Sequence, residues 1–431
     1  MKPLLALLAL AATLRAAPPE PKFRAVTIDD KIQIGYGVAV ADVDGDKRPD
    51  IVLADKKQFV WYQNPGQPPP GAESFAPSVW SKFILAENLT KNDNVCLAAQ
   101  DIDGDGKCEI AVGAEWNPGD TVNSGAVFYL IPPEDRTQKW EAVKFPSVEP
   151  TTHRMKWIKV GEKEWRLVVV PLHGRGNKNG EGAPVKVLLY HKPADVRSEW
   201  KSEIVDESMH ATHNFDIPAP QNYSTEIGAE KFRASFLVAA GREGLLALRA
   251  VNGEYRTKTY FVRQPSTPGI SPRDQLVAED FRGAGEVRFG LLEKVKNEAG
   301  YFAAVEPMHG NSLAIYIYVS SDGSLLNRRV LTDKLTEGHA LACGDLFGTG
   351  SDQIVVGWRG TPGKEGSTIG VHLWTALDEK GEKWRDTAVD DGGMACEDLA
   401  LADINGDGKL DIVASGRATH NVKVYFNETP R

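Results

Sequence analysis

The chain is poor in cysteine and in positive charge, and it has no long apolar run beyond its first residues. Its four cysteines, Cys96, Cys108, Cys343 and Cys396, stand far apart in 431 residues. Three of them lie in apolar, strand-like segments, which suits buried thiols better than the disulfide framework of short, poorly cored chains. No basic run occurs, and 50 basic against 59 acidic side chains leave a net charge of −9. That balance argues against a nucleic-acid or anionic-membrane partner. The one apolar stretch, Leu4 to about Leu14, is too short for a bilayer span of roughly twenty residues. With Lys2 before it and small residues after it, residues 1–17 read as a signal peptide. The mature protein, from residue 18, is expected to be secreted or periplasmic, with no membrane insertion.

What is abundant is turn-forming residue: 41 glycines and 26 prolines, in a chain that is 42% apolar. Many turns imply many short strands. A chain of this length exceeds what one core usually supports, so it needs several domains or a repeat architecture. Internal repeats decide the matter. "VAVADVDGDKRPDIVLAD" from Val38, "LAAQDIDGDGKCEIAVGAE" from Leu97 and "LALADINGDGKLDIVASG" from Leu399 nearly superimpose, and degenerate copies start at Lys156, Leu276 and Leu341. Their loop glycines, Gly45, Gly104, Gly161, Gly283, Gly348 and Gly406, are spaced 59, 57, 122, 65 and 58 residues apart. The double step hides one more unit, from Thr212 to Gly241, whose loop is swollen by the polar stretch 218–231. Seven units of about sixty residues leave no room for a second domain. An outer strand precedes each new unit, and "FRAVTID" from Phe23 matches that series with no unit before it. The expected fold is therefore all-β: a seven-bladed propeller of four-stranded antiparallel blades, spanning 18–431, with the last blade closed by the N-terminal strand.

In the first repeat Asp42, Asp44, Asp46 and Asp50 occupy loop positions 1, 3, 5 and 9. Asp101, Asp103, Asp105 and Glu109 repeat the arrangement, and Asp403, Asn405, Asp407 and Asp411 repeat it again. Oxygen ligands at this spacing suit Ca²⁺, with a backbone carbonyl at position 7. The bidentate glutamate of a helix-loop-helix site is missing, and strands flank each loop, so about three structural calcium sites are expected. Loss of Lys2 and Arg15 with the leader takes the net charge from −9 to −11, and the three loops hold eleven carboxylates. Such clustered like charge repels unless a cation neutralises it.

The opposite face is made by the segments that enter each inner strand and those that leave the second strand. The entering segments carry Tyr36, Asn94, His153, His213, Arg273, His339 and Glu397; the leaving ones carry Lys56, Glu115, Trp116, His173, Arg175, Arg242, Glu243, Arg359, Arg417 and His420, with His309 before a later strand. Six of nine histidines thus share one face. Imidazoles beside guanidinium groups suit proton transfer next to an oxyanion, or they hold Zn²⁺ or another divalent metal. His191, His210 and His372 fall outside the set and are read as structural.

The "DxDGDGxxD" repeats resemble the FG-GAP/VCBS family of calcium-binding propellers, as in integrin α-subunits. "GYGVAVADVDGDKRPDIV", "THRMKW", "PLHGRGNKNGEGAPVKVLLY", "HATHNFDI" and "AAGREG" are similar to the propeller domain of aldos-2-ulose dehydratases, which dehydrate 1,5-anhydrofructose and related ketosugars. That resemblance implies a small carbohydrate substrate and a lyase reaction, a dehydration or β-elimination α to a ketone. His153 and His213 are then the candidates for base and acid. His173 and His339 would orient the sugar or bind a metal, and Arg175 and Arg242 would hold the enediolate oxygen. The rival reading is a non-enzymatic, integrin-like propeller that binds glycans or protein partners; it calls for an aromatic-rich face, whereas these loops favour His and Arg.

Overall fold

The computed structural model describes residues 17–66, 79–146, 148–161, 163–178, 180–218, 224–227, 230–233, 235–251, 254–263, 283–293, 299–319 and 324–430. Strand β1 (Phe23–Asp29) stands apart from the chain that follows it. Blade 1 is β2 (Gly37–Ala41), β3 (Asp50–Ala54), β4 (Gln58–Gln63) and β5 (Ser81–Glu87). Blade 2 is β6 (Cys96–Gln100), β7 (Glu109–Ala114), β8 (Ala126–Ile131) and β9 (Glu141–Lys144). Blade 3 is β10 (Thr152–Lys159), β11 (Trp165–Pro171), β12 (Val187–His191) and β13 (Ser202–Asp206). Blade 4 begins with β14 (Thr212–Asp216). A two-stranded hairpin, β15 (Ser224–Ile227) and β16 (Glu230–Arg233), occupies the swollen connection before β17 (Ser235–Gly241), β18 (Gly244–Val251) and β19 (Glu254–Arg263) complete that blade. Blade 5 is β20 (Glu286–Glu293), β21 (Ala299–Glu306), β22 (Ser312–Val319) and β23 (Ser324–Thr332). Blade 6 is β24 (Gly338–Gly344), β25 (Gln353–Trp358), β26 (Gly370–Ala376) and β27 (Trp384–Asp391). Blade 7 is β28 (Cys396–Ala402), β29 (Asp411–Gly416) and β30 (Asn421–Asn427), closed by β1 in the order β1-β30-β29-β28. Phe23 pairs with Asn427 and Val26 with Val424 in an antiparallel ladder.

The second strand of a blade explains why the units must stack. β3, β7, β25 and β29 are buried from end to end, because both faces of the sheet meet a neighbouring blade. They read as nearly continuous Ile, Val, Leu and Ala for that reason. The described core is accordingly seven clusters, one between each pair of adjacent blades. Val52, Trp61 and Ile110 lie between blades 1 and 2, and Ile51, Val413 and Val424 lie across the seam between blades 7 and 1. Small residues let strands approach closely: a Cβ on Gly357 would lie 2.4 Å from Cys396 Sγ, and one on Gly113 2.5 Å from Cys96 Sγ. All four cysteines are free.

One unit departs from its expected frame. The strand after Gly283 is the innermost of blade 5, not its second strand, and Gly283 lies beside Arg242 on the histidine face. The degenerate loop carries no run of carboxylates to set the frame, and the apolar stretch that fits a second strand comes later, in β21. Arg273 and residues 1–16 lie outside the described residues.

Gly357→Ala is expected to destabilise the protein by about 1–3 kcal/mol through overpacking against Cys396, measured by denaturant unfolding. Deleting residues through Asp29 removes the closing strand and should lower the melting temperature and expose the edge of β30 to self-association, read by light scattering.

Candidate active site

Four inner strands carry a polar residue at their second position: His153 in β10, His213 in β14, His339 in β24 and Glu397 in β28. At each of these places the ladder to the second strand skips. The register shifts between Thr152 and Arg154, Thr212 and Phe215, Gly338 and Ala340, and Cys396 and Asp398. The inner ladders of blades 1 and 2 run without such a shift. A bulge frees a residue from pairing and re-aims its side chain, and here four of them turn side chains toward the mouth of the ring.

His153 Nδ1 donates to His213 O at 2.7 Å, His213 Nδ1 to Gly285 O at 2.9 Å, and His339 Nδ1 to Glu397 O at 2.6 Å. A carbonyl only accepts, so Nδ1 carries the proton in all three and Nε2 keeps its lone pair. His309, on the β21–β22 turn, completes the group. Ring centroids lie 4.5 Å apart for His153 and His213, 4.5 Å for His213 and His309, and 4.8 Å for His309 and His339. The ligand atoms of His213, His309 and His339 all lie within 4.8 Å of one another. His213 Nε2 and His309 Nε2 are 2.7 Å apart, so one proton must sit between them when no cation does. A tetrahedral ion with metal–nitrogen bonds of ~2.0–2.1 Å would spread them to about 3.3 Å, a small side-chain adjustment. Backbone carbonyls on the outer nitrogens of His213 and His339 are the arrangement that metal-binding imidazoles need. The three could hold a divalent ion with a position left open.

Burial first, then Arg154, hold His153 well below the ordinary histidine range. Burial with Arg154 and Arg359 does the same to His213, and burial with Arg359 to His339. His309 is brought down to about 2 by burial and by His213. The imidazoles are therefore neutral, ready to accept a proton or bind a metal. Arg154 Nη1 lies 3.2 Å from His153 Nε2, and its Nε is buried without a hydrogen-bond partner. Glu286, 1% exposed, accepts both its hydrogen bonds from Asn214 Nδ2 and lies 3.3 Å from His213 Nδ1. Glu397 is gripped by Arg417 Nε and Nη2 and by Arg359 Nη1 at 2.8–2.9 Å. Burial alone would raise Glu397; these guanidinium groups overcome it and bring the carboxyl to about 2.

The four imidazoles, Arg154, Arg359, Arg417 and Glu397 line, with Trp116 and Tyr36, a cavity of about 460 Å³. Neither aromatic is an open platform: Trp116 stacks on His153 at 5.0 Å, and Tyr36 lies under Arg417 at 5.0 Å. His173, Arg175 and Arg242 do not line the cavity. Arg175 donates to Val122 O and Val148 O, and His173, lowered by burial, bridges to Ala211 by its backbone. From sequence, His309, Arg359 and Glu397 fall on this face without a catalytic role, and Arg154 and Glu286 are missed. Arg154 follows the polar second position that β10 shares with β14, β24 and β28, which is a signal for it, whereas Glu286 opens β20, where the sequence frame is displaced.

On the other face Asp42, Asp44 and Asp50 bring ligand atoms within 4.8 Å of one another, and so do Asp101, Asp103 and Glu109. Asp50 also accepts from Val43 N and Asn64 N, and Asp411 from Ile404 N and Asn427 N. Position 9 thus braces the turn. Asp46 pairs with Arg48, and Asp105 accepts from Lys107 N. In the third loop Asp403 and Asn405 both accept from Asp407 N. Burial, with the charge of acidic neighbours, pushes Asp50 and Glu109 up to about 7 and Asp411 to about 6. A bound cation would offset that cost.

Residues 124–319 match the family model described as aldos-2-ulose dehydratase, beta-propeller domain, and residues 42–112 match the FG-GAP-like repeat. Aldos-2-ulose dehydratase of Phanerodontia chrysosporium is 22% identical over 320 residues, which are 71% of this chain and 33% of that protein. The matched part is thus about a third of that relative's length. Among solved structures, BBS1N in complex with ARL6DN, soaked with lead, aligns with a TM-score of 0.51 at 12% identity, covering 97% of this chain and 98% of the other. The mercury-soaked crystal gives 0.52 at 13%, covering 96% and 98%. These two likenesses concern the fold alone.

Glu397→Gln would leave Arg359 and Arg417 without their buried partner. A loss of about 3–5 kcal/mol is expected, with the melting transition as readout.

Proposed function

We propose that this protein is an exported, calcium-stabilised lyase that acts on ketosugars, removing water or an alcohol by elimination α to a ketone. The observation that carries the reading is the convergence of four neutral imidazoles and a guanidinium clamp in one cavity. Three of them, His153, His213 and His309, fall within the segment similar to the dehydratase propeller.

His153 is the base. Its Nε2 takes the proton from the carbon beside the ketone, and Arg154, already against that nitrogen, faces the enediolate oxygen as charge develops. His213, His309 and His339 would hold a divalent ion through Nε2; zinc suits three imidazoles with one open position. When bound, such an ion supplies a Lewis acid for the ketone oxygen. The C–O bond to the departing group then breaks, and the proton held by His153 passes to the leaving oxygen. Arg359, Arg417 and Glu397 fix the floor of the site. His213 is tied to Gly285 O and His309, which suits a ligand better than a free acid.

The test is incubation of the calcium-loaded protein with 1,5-anhydrofructose and with 3-keto-glycosides, with and without zinc, following enone absorbance and product mass. Loss of water or of an aglycone is the expected result; silence with every ketosugar would favour a binding propeller. His153→Ala should lower kcat by about 10²–10⁴-fold with calcium-dependent melting intact, whereas full activity in both His153→Ala and His213→Ala would remove these residues from the mechanism. We also assign Ca²⁺ to the acidic loops. Chelation of calcium should lower the melting temperature in the wild type and less so in Asp44→Ala; no shift in either would make the loops metal-free turns.

A further inference from the structure

His309 is a wall between two cavities. One is the imidazole site; the other, about 440 Å³, lies between the β21–β22 turn, the segment 333–337 before β24 and the loop after β25. His309 is also the accessible member of the group, with 35% of its side chain exposed against 1% for His213 and 3% for His339. We infer that the second cavity is the subsite for the leaving group, and that the substrate is a keto-glycoside whose aglycone is itself a sugar or polyol. This rests on the reading of the imidazole cavity as a ketosugar site.

The walls are preformed. Gly338 N donates to Gly310 O at 2.9 Å, Leu335 N to Asn311 O at 2.9 Å, and Asn311 Nδ2 to Asp333 O at 3.0 Å. Gly360 N donates to Thr336 O at 2.9 Å. Two residues on the rim, His309 (φ 51°) and Glu337 (φ 57°), hold left-handed backbone without being glycine, a strain that packed surroundings must sustain and that gathers at ligand clamps. Glu337 stands at the junction of the cavities, its Oε2 3.5 Å from Arg359 Nη2 and 3.9 Å from His309 Nδ1.

The lining chemistry selects the ligand. Thr361 offers a hydroxyl and Asn311 an amide, Asp333 and Glu337 accept, and Lys334 and Lys364 donate, while the Thr336 hydroxyl is held by Thr368. Apart from the His309 imidazole no aromatic ring is among its described lining residues, and charges of both signs are interspersed. Such a surface suits a neutral group rich in hydroxyls, which donates and accepts in turn. It does not suit an apolar aglycone or an anion. Each volume is of a size that takes a small ligand, so a two-ring substrate would span both, with the scissile C–O bond at His309. Elimination breaks that bond, the ring carbon becoming part of an enone and the second sugar leaving as an alcohol with the proton taken from the first; no oxidant or co-reactant is needed.

The experiment compares a 3-keto-disaccharide with the corresponding methyl 3-keto-glycoside, in the wild type and in Thr361→Phe and Lys364→Ala. At least tenfold higher kcat/KM for the disaccharide is expected, with Thr361→Phe abolishing the preference and leaving methyl-glycoside turnover within about twofold. Lys364→Ala should raise KM for the disaccharide alone. Equal kcat/KM on both substrates, or a loss shared equally by both in the variants, would overturn the subsite. Saturation-transfer NMR with the unoxidised disaccharide separates this from failure of the lyase reading. If no ketosugar turns over, binding that Thr361→Phe abolishes still supports a saccharide subsite, and absence of binding overturns it.

Discussion

No blade of this protein can bury its own second strand. A four-stranded sheet has two apolar faces here, and each is covered only when another blade lies against it, so the core is a ring of seven inter-blade clusters. A ring has no terminal unit to cap, but it must close. Closure falls to β1, whose ladder with β30 joins residues some four hundred positions apart, and to the cluster across blades 7 and 1. Contacts among the acidic loops extend this. Cys108 N donates to Asp42 O, Asn64 Nδ2 to Ile404 O, and Asn427 Nδ2 to Leu346 O, so each of these loops is tied to an adjoining blade. The acidic loops belong to blades 7, 1 and 2, on either side of the seam.

The same ring makes the site. Each inner strand presents one end at the mouth, and in blades 3, 4, 6 and 7 a bulge at the second residue turns one side chain inward. An imidazole so placed finds its hydrogen-bond acceptor on the next blade: His153 uses the carbonyl of His213, and His339 uses that of Glu397. The blades therefore orient one another's functional groups, and burial keeps those groups neutral. Positive charge at the site is carried by Arg154, Arg359 and Arg417, two of them balanced by Glu397.

Much of this was legible beforehand, for physical reasons. The Asp-rich loops of blades 1, 2 and 7 keep their spacing because the tight turn requires it, and position 9 braces that turn through backbone amides. Strand alternation assigned each connecting segment to a face, which placed His153, His213, His309 and His339 together correctly. Where the carboxylates are gone, as near Gly283, the frame slipped by one strand. His173, Arg175 and Arg242 share the face but stand outside the cavity, since membership of a loop says nothing of radius from the axis.

The linear chain determined the repeat, the number of blades, the displaced closing strand and the two faces, because period and turn chemistry are local properties. Which side chains meet was decided by tertiary structure alone. His153 and His213 are 60 residues apart, and His213 and His309 are 96 apart; only the closed ring, with bulges in the inner strands of blades 3, 4, 6 and 7, brings these side chains together.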